Sequence, residues 1–125
     1  MILEMNSLTE KIIGCAIEVH KYLGPGLLES VYEECLCVEL KLQGLAIERQ
    51  VPVDIVYENV KVECAYNIDI LVEDSVVLEV KSIDEITPFD STQILAHMKH
   101  ANKRIGLILN FNVLKLKDGI KRYIK

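Results

Sequence analysis
The chain reads as an α/β (α+β) fold: two helices, an antiparallel meander, a third helix and a further strand, in the order α, α, β, β, β, α, β. Three observations lead there. Apolar residues recur at helical spacing from Leu8 to Leu36, the period changes to two from Leu45 to Tyr66, and Asn67–Lys81 has the pattern of a strand pair. With 125 residues, 50% apolar and 26% charged, the chain is expected to form one domain over residues 1–125 with a sizeable core.

The first helix is expected to open on the capping-box pattern Ser7-Leu8-Thr9-Glu10 and to carry Leu8, Ile12, Ala16, Val19 and Leu23 down one side. Gly24-Pro25-Gly26 stops it, since proline cannot continue a helix and glycine accepts positive φ. No phosphate-loop or dinucleotide glycine pattern occurs anywhere in the chain. A second helix is expected from near Leu27 to about Gln43, with Leu28, Val31, Tyr32, Cys35 and Leu36 as its apolar stripe. Glu29 falls in its first turn, where the helix dipole favours a carboxylate. From Leu45 the residues Ile47, Val51, Val53, Ile55 and Tyr57 alternate with mostly polar ones, and Pro52 suggests an edge or a bulge. A turn near Glu58-Asn59 reverses the chain into Val60, Val62, Cys64 and Tyr66. After the breaker cluster Thr87-Pro88-Phe89-Asp90, Asp90 or Ser91 is expected to cap a third helix through about Ala101, with Ile94, Leu95, Met98 and Ala101 inward. Gln93 and His97 stand four apart on an adjoining face. Ile105–Leu109 reads as a buried strand and Lys115–Lys125 as a basic tail.

The stretch that concentrates chemistry is Asn67–Lys81. Ile68, Ile70, Val72, Val76, Leu78 and Val80 place one face in a core, while Asn67, Asp69, Glu79 and Lys81 gather on the other. If Glu73-Asp74-Ser75 is the loop, Val72 pairs with Val76, Ile70 with Leu78 and Asp69 with Glu79. An odd-length loop keeps the even residues on one face. Directly opposed residues hold their Cβ atoms about 4.5–5.5 Å apart, so two carboxylates there repel unless something positive lies between them. A divalent cation bridging Asp69 and Glu79, with Lys81 alongside, makes sense of the charges.

The net charge of −5 is unevenly spread: residues 1–94 hold 6 Lys/Arg against 18 Asp/Glu, whereas residues 95–125 hold 8 against Asp118 alone. The basic third is a candidate surface for nucleic acid, its competing reading being solvated lysines. Cys15, Cys35, Cys37 and Cys64 form no C-x-x-C pair and are expected as reduced, buried thiols. His20, His97 and His100 lack a second imidazole at ligand spacing and are expected as packed or surface side chains. No apolar run approaches spanning length, and Met1–Asn6 lacks a leader's basic start and apolar core. A soluble cytoplasmic protein without a membrane partner is expected.

Asp69…Glu79-Val80-Lys81 matches the D…(D/E)-x-K signature of the PD-(D/E)XK nuclease superfamily, with Ile68 rather than Pro before the Asp. Glu18-Val19-His20 and Leu23-Gly24-Pro25-Gly26-Leu27-Leu28-Glu29-Ser30-Val31-Tyr32-Glu33-Glu34 closely resemble the GxxExxY proteins of that superfamily, with Gly26, Glu29 and Tyr32 as the name-giving residues. The resemblance continues through Glu48–Pro52, Tyr66, Gln93, Asn110-Phe111-Asn112 and Leu116–Arg122. It implies a restriction-endonuclease-like core, a mixed sheet of four to five strands flanked by helices, and a Mg²⁺ or Mn²⁺ site. By the same resemblance Asp69 and Glu79 would be metal ligands, Glu29 an additional acid from the helix, and Lys81 the group that orients water or stabilises charge. Gln93 would be the glutamine of a Q-x-x-x-Y pattern in which His97 stands where Tyr is usual.

The function these implications favour is metal-dependent hydrolysis of nucleic acid phosphodiester bonds, by an enzyme that would need a second copy, as a homodimer, to span a duplex. The competing reading is a non-catalytic nuclease-fold module that binds protein, nucleic acid or a small ligand. A third takes Asp69, Glu79 and Lys81 as an exposed salt-bridge cluster worth little energetically.

Overall fold
The structure, a computed structural model, describes residues 2–125, with side-chain surroundings from Met5 onward. Met1, the first residue of the segment read above for a leader, lies outside the described residues. The elements follow as α1 (Ile2–Leu23), α2 (Glu29–Leu42), β1 (Ile47–Tyr57), β2 (Val60–Val72), β3 (Val76–Lys81), α3 (Pro88–Ala101), β4 (Ile105–Asn110), a one-turn helix (Leu116–Gly119) and β5 (Ile120–Ile124). The strands form one sheet in the order β1-β2-β3-β4-β5. Only β3 and β4 are parallel, with α3 as their crossover, and the other neighbours are antiparallel. This is the expected mixed sheet flanked by helices.

Helices cover both faces of the sheet. Ile12, Ala16 and Val19 of α1 and Tyr32, Leu36 and Leu40 of α2 pack on Ile70, Val72, Val76, Leu78, Leu107 and Leu109. Ile94 and Met98 of α3 pack on Leu71, Val77, Ile108 and Tyr123 from the other side. A Cβ on Gly106 would meet Met98 Sδ at 2.6 Å, so the small residue sets how closely α3 lies on β4. Burial on both faces corrects the expectation of a one-sided strand pair: every residue of β3 from Val76 to Val80 is buried, and polarity is confined to the sheet's end. The registers Val72↔Val76 and Ile70↔Leu78 are as expected, closed by Glu73 and Asp74 at positive φ, but the expected third pair, Asp69 with Glu79, is not a rung of the ladder, which ends at Ile70↔Leu78.

The two cores exchange places along β1 and β2. Ile47, Ile70 and Val72 belong to the α1/α2 side, whereas Val51, Val53 and Ile68 belong to the α3 side. The exchange falls at Gln50, which has φ +48°, and at Asp69, which the flanking pairs Arg49↔Ile70 and Val51↔Ile68 put opposite it. A left-handed residue breaks the strict alternation of a strand.

Several boundaries differ from expectation. α1 begins before Ser7, which lies inside the helix, because the apolar residues ahead of it continue the helical pattern. α2 buries Tyr32 and Leu36 as expected, but its inward stripe continues through Glu33, Cys37 and Leu40, while Leu28 and Val31 are exposed. The cap of α3 is Thr87, not Asp90 or Ser91; Asp90 closes the capping box from the third position, with Pro88 pre-set at the first. Ile120–Ile124 pairs with β4 where a tail was expected, and Tyr123 is buried with its hydroxyl 2.6 Å from Ser91 Oγ. Cys15 and Cys37 are buried, whereas Cys64 is exposed beside the irregularity in the β1–β2 hairpin. No described helix is long and apolar enough to cross a membrane.

Candidate active site
Asp69 and Glu79 meet where β2 and β3 part. The ladder between these strands ends at Ile70↔Leu78, and beyond it side chains take over the backbone groups. Asp69 Oδ2 accepts a 2.9 Å hydrogen bond from the Val80 amide, and Glu79 Oε2 accepts a 3.4 Å bond from the Asp69 amide. Glu79 is only 8% exposed. Burial first, and the neighbouring Glu79 carboxylate second, push the Asp69 carboxyl up to about 6. The Val80 amide and Lys81 pull it down, less strongly, and Glu33 adds to the rise. Lys81 follows two residues after Glu79 on the same strand, half-buried and next to Asn110 of β4 in register.

His97 joins this pair from α3. Its Nδ1 lies 3.2 Å from Glu79 Oε1. The ring stacks on Tyr66 of β2, with centroids 3.9 Å apart and planes 9° from parallel, and Tyr66 Oη donates a 2.7 Å bond to the His97 carbonyl. His97 is therefore packed, as expected, but packed onto a site residue. His20 instead donates from Nε2 to the Val113 carbonyl at 2.8 Å, and His100 is exposed. Gln93 is exposed on α3, one turn before His97, and its side chain makes no hydrogen bond among the described residues.

Glu29 approaches the end of β3 from the other side. Its Oε2 accepts the Ser82 amide at 3.2 Å, while Ser82 Oγ donates to the Leu27 carbonyl at 2.6 Å. Tyr32 Oη donates to the Gly24 carbonyl at 2.5 Å and accepts the Leu27 amide at 3.1 Å, which folds the loop around Gly26 at φ +97°. The Tyr32 ring stacks on Phe111 at 4.6 Å. Asn110, also buried, accepts from the Ile83 amide and donates to the Ile83 carbonyl, each at 3.0 Å. Residues far apart in sequence thus fasten the segment that follows Lys81.

A family model described as the PD-(D/E)XK nuclease superfamily matches residues 6–123. The chain belongs to this superfamily. Neither a curated protein nor a solved structure gives a match. PD-(D/E)XK nucleases generally use divalent metals.

Among the described residues no three of His, Cys, Asp and Glu stand where they could hold one ion. The paired carboxylates nevertheless fit a hard cation. Mg²⁺ keeps several waters and is usually bound by one or two carboxylates plus substrate phosphates. Asp69 and Glu79 offer oxygen atoms with lone pairs left over after their hydrogen bonds. Among the acids of α2 it is Glu33, not the expected Glu29, whose charge adds to the rise at Asp69. Glu33 is buried, accepts bonds of 3.0 and 3.3 Å from the Arg49 guanidinium and takes the Gln50 amide at 3.1 Å. Its position one turn after Glu29 marks it in the sequence, but it falls outside the apolar stripe expected for α2.

Proposed function
We propose that this member of the PD-(D/E)XK superfamily is a Mg²⁺- or Mn²⁺-dependent nuclease that hydrolyses phosphodiester bonds of nucleic acid. The observation that carries the reading is the convergence of Asp69 and Glu79 where β2 and β3 part, with burial first and the Glu79 carboxylate second raising the Asp69 carboxyl to about 6. Asp69 and Glu79 would hold the cation. When bound, the cation acidifies water and neutralises charge on the scissile phosphate. Lys81, fixed at the strand end, orients the attacking water or stabilises negative charge as it develops, a preorganised role. Glu29 serves the site by holding the Ser82 amide, and the exposed Gln93 is available to substrate. The placement of Gly26, Glu29 and Tyr32 around one loop supports the narrower GxxExxY resemblance. Lys99, Lys103, Arg104 and Lys125 surround a concavity of ≈ 400 Å³ and support nucleic acid as the partner.

The test is cleavage of mixed DNA and RNA substrates with Mg²⁺ or Mn²⁺, with Glu79→Gln run in parallel. Cutting that requires metal and disappears in the variant supports the reading. Equal cutting by both proteins would place the chemistry elsewhere. Binding without cutting by the native protein would favour a nuclease-fold binding module.

A further inference from the structure
We propose that Tyr66 is a positioning residue for the Glu79 carboxylate and acts on it through His97. The proposal rests on the metal-site reading above for its consequence, and on the observed contacts for its geometry. Tyr66 holds His97 at two points: the stacked rings fix the plane of the imidazole, and the bond from Tyr66 Oη to the His97 carbonyl fixes the helix backbone that carries it. With ring plane and backbone both set, Nδ1 stays 3.2 Å from Glu79 Oε1. The other carboxylate oxygen accepts the Asp69 amide. Glu79 is thus held from β2 and from α3 at once, one partner to each oxygen. Without the imidazole, repulsion from Asp69 would swing the carboxylate away. Supporting groups of this kind hold a ligand in its binding orientation before the ion arrives.

The experiment compares Tyr66→Leu, which removes stack and hydroxyl, with Tyr66→Phe, which keeps the stack, and places each in native and His97→Gln backgrounds after circular dichroism has established folding. Two readouts are used. Ring ¹⁵N NMR of His97 reports the protonated, hydrogen-bonded Nδ1 without any metal. Calorimetric titration with Mn²⁺ reports affinity. The expected result is loss of the Nδ1 signature in Tyr66→Leu and Mn²⁺ binding weaker by about 10- to 100-fold. Tyr66→Phe should lose a few-fold, within the range of one neutral hydrogen bond. In the His97→Gln background, Tyr66→Leu should cost nothing further. An unchanged His97 signature in Tyr66→Leu overturns the proposal, and so do losses from the two positions that simply add. If Asp69→Asn binds Mn²⁺ as native does, the metal reading fails, while the NMR comparison still decides the linkage of Tyr66 to His97.

Discussion
Asp69 holds a carboxyl where a carboxylate is disfavoured. Its value rises from an ordinary 3.8 to about 6, so the folded chain retains a proton that the unfolded chain releases. The sign follows from that difference. The group's favourable contribution is complete below the unfolded value, is lost as pH rises through about 6, and stays lost above it. Cation-free protein at pH 7.5 should therefore melt below its Asp69→Asn variant, whose amide oxygen can still accept from Val80. The gap should close as pH falls from about 6 toward 4, and calorimetry in chelator would show it. A variant less stable than native at pH 7.5 would contradict this account. Mn²⁺ affinity should weaken below about pH 6, since ligands must shed protons to bind. The approach of Asp69 to Glu79 was legible in the sequence from the loop length, which sets the register Val72↔Val76 and Ile70↔Leu78, although strict parity stops at Asp69, where the cores exchange. Tyr66 was not legible in its role. Strict alternation aligns it with Ile70 on the α1/α2 side, and only the exchange of cores at Gln50 and Asp69 turns it toward α3.

At the scale of elements, the site depends on how the start of α2 is fastened to the end of β3. Glu29 lies on the Ser82 amide, one residue beyond Lys81, which suits a positioning role as well as the ligand role that resemblance implies. The two roles respond differently to one substitution. A glutamine keeps an oxygen for the Ser82 amide but is a poor ligand for a hard cation. If Glu29 positions the strand end, Glu29→Gln should keep Mn²⁺ affinity and cleavage within a few-fold of native, and Glu29→Ala should lose substantially more. A loss in Glu29→Gln as deep as in Glu79→Gln would make Glu29 a ligand. The sequence foretold α2 and the burial of Tyr32 and Leu36, but not the rest of its inward stripe. Two exposed apolar residues, Leu28 and Val31, suggested an inward stripe, while the buried Glu33 broke the true one. β5 was hidden for a related reason: Leu116, Ile120, Tyr123 and Ile124 recur at helical spacing, and only pairing with β4 makes the segment a strand.

Across the whole molecule, charge is sorted more sharply than a net of −5 suggests. Glu79 lies on the α3 side of the sheet, where His97 reaches it, and the end of α3 carries the cations around the ≈ 400 Å³ concavity. Lys103 is paired with Asp74 at 3.0 Å, whereas Lys99, Arg104 and Lys125 make no ion pair among the described residues. Cations left without carboxylates in an acidic chain are suited to phosphate. Their contact with a nucleic acid backbone releases counterions, so binding should weaken with salt by a slope of roughly −0.9 per duplex phosphate neutralised. Fluorescence anisotropy with a labelled duplex and the Glu79→Gln protein, which is not expected to consume it, measures this directly. Three contacting cations predict a slope of about −2 to −3 in log K against log salt. Lys99→Glu combined with Arg104→Glu should flatten that slope by about 2 and weaken binding most at low salt, while leaving Mn²⁺ affinity at Asp69 and Glu79 unchanged. An unaltered slope in the double variant would move the phosphate contacts away from the end of α3 and leave its lysines as solvated groups at a helix C-terminus, where the dipole alone accounts for them.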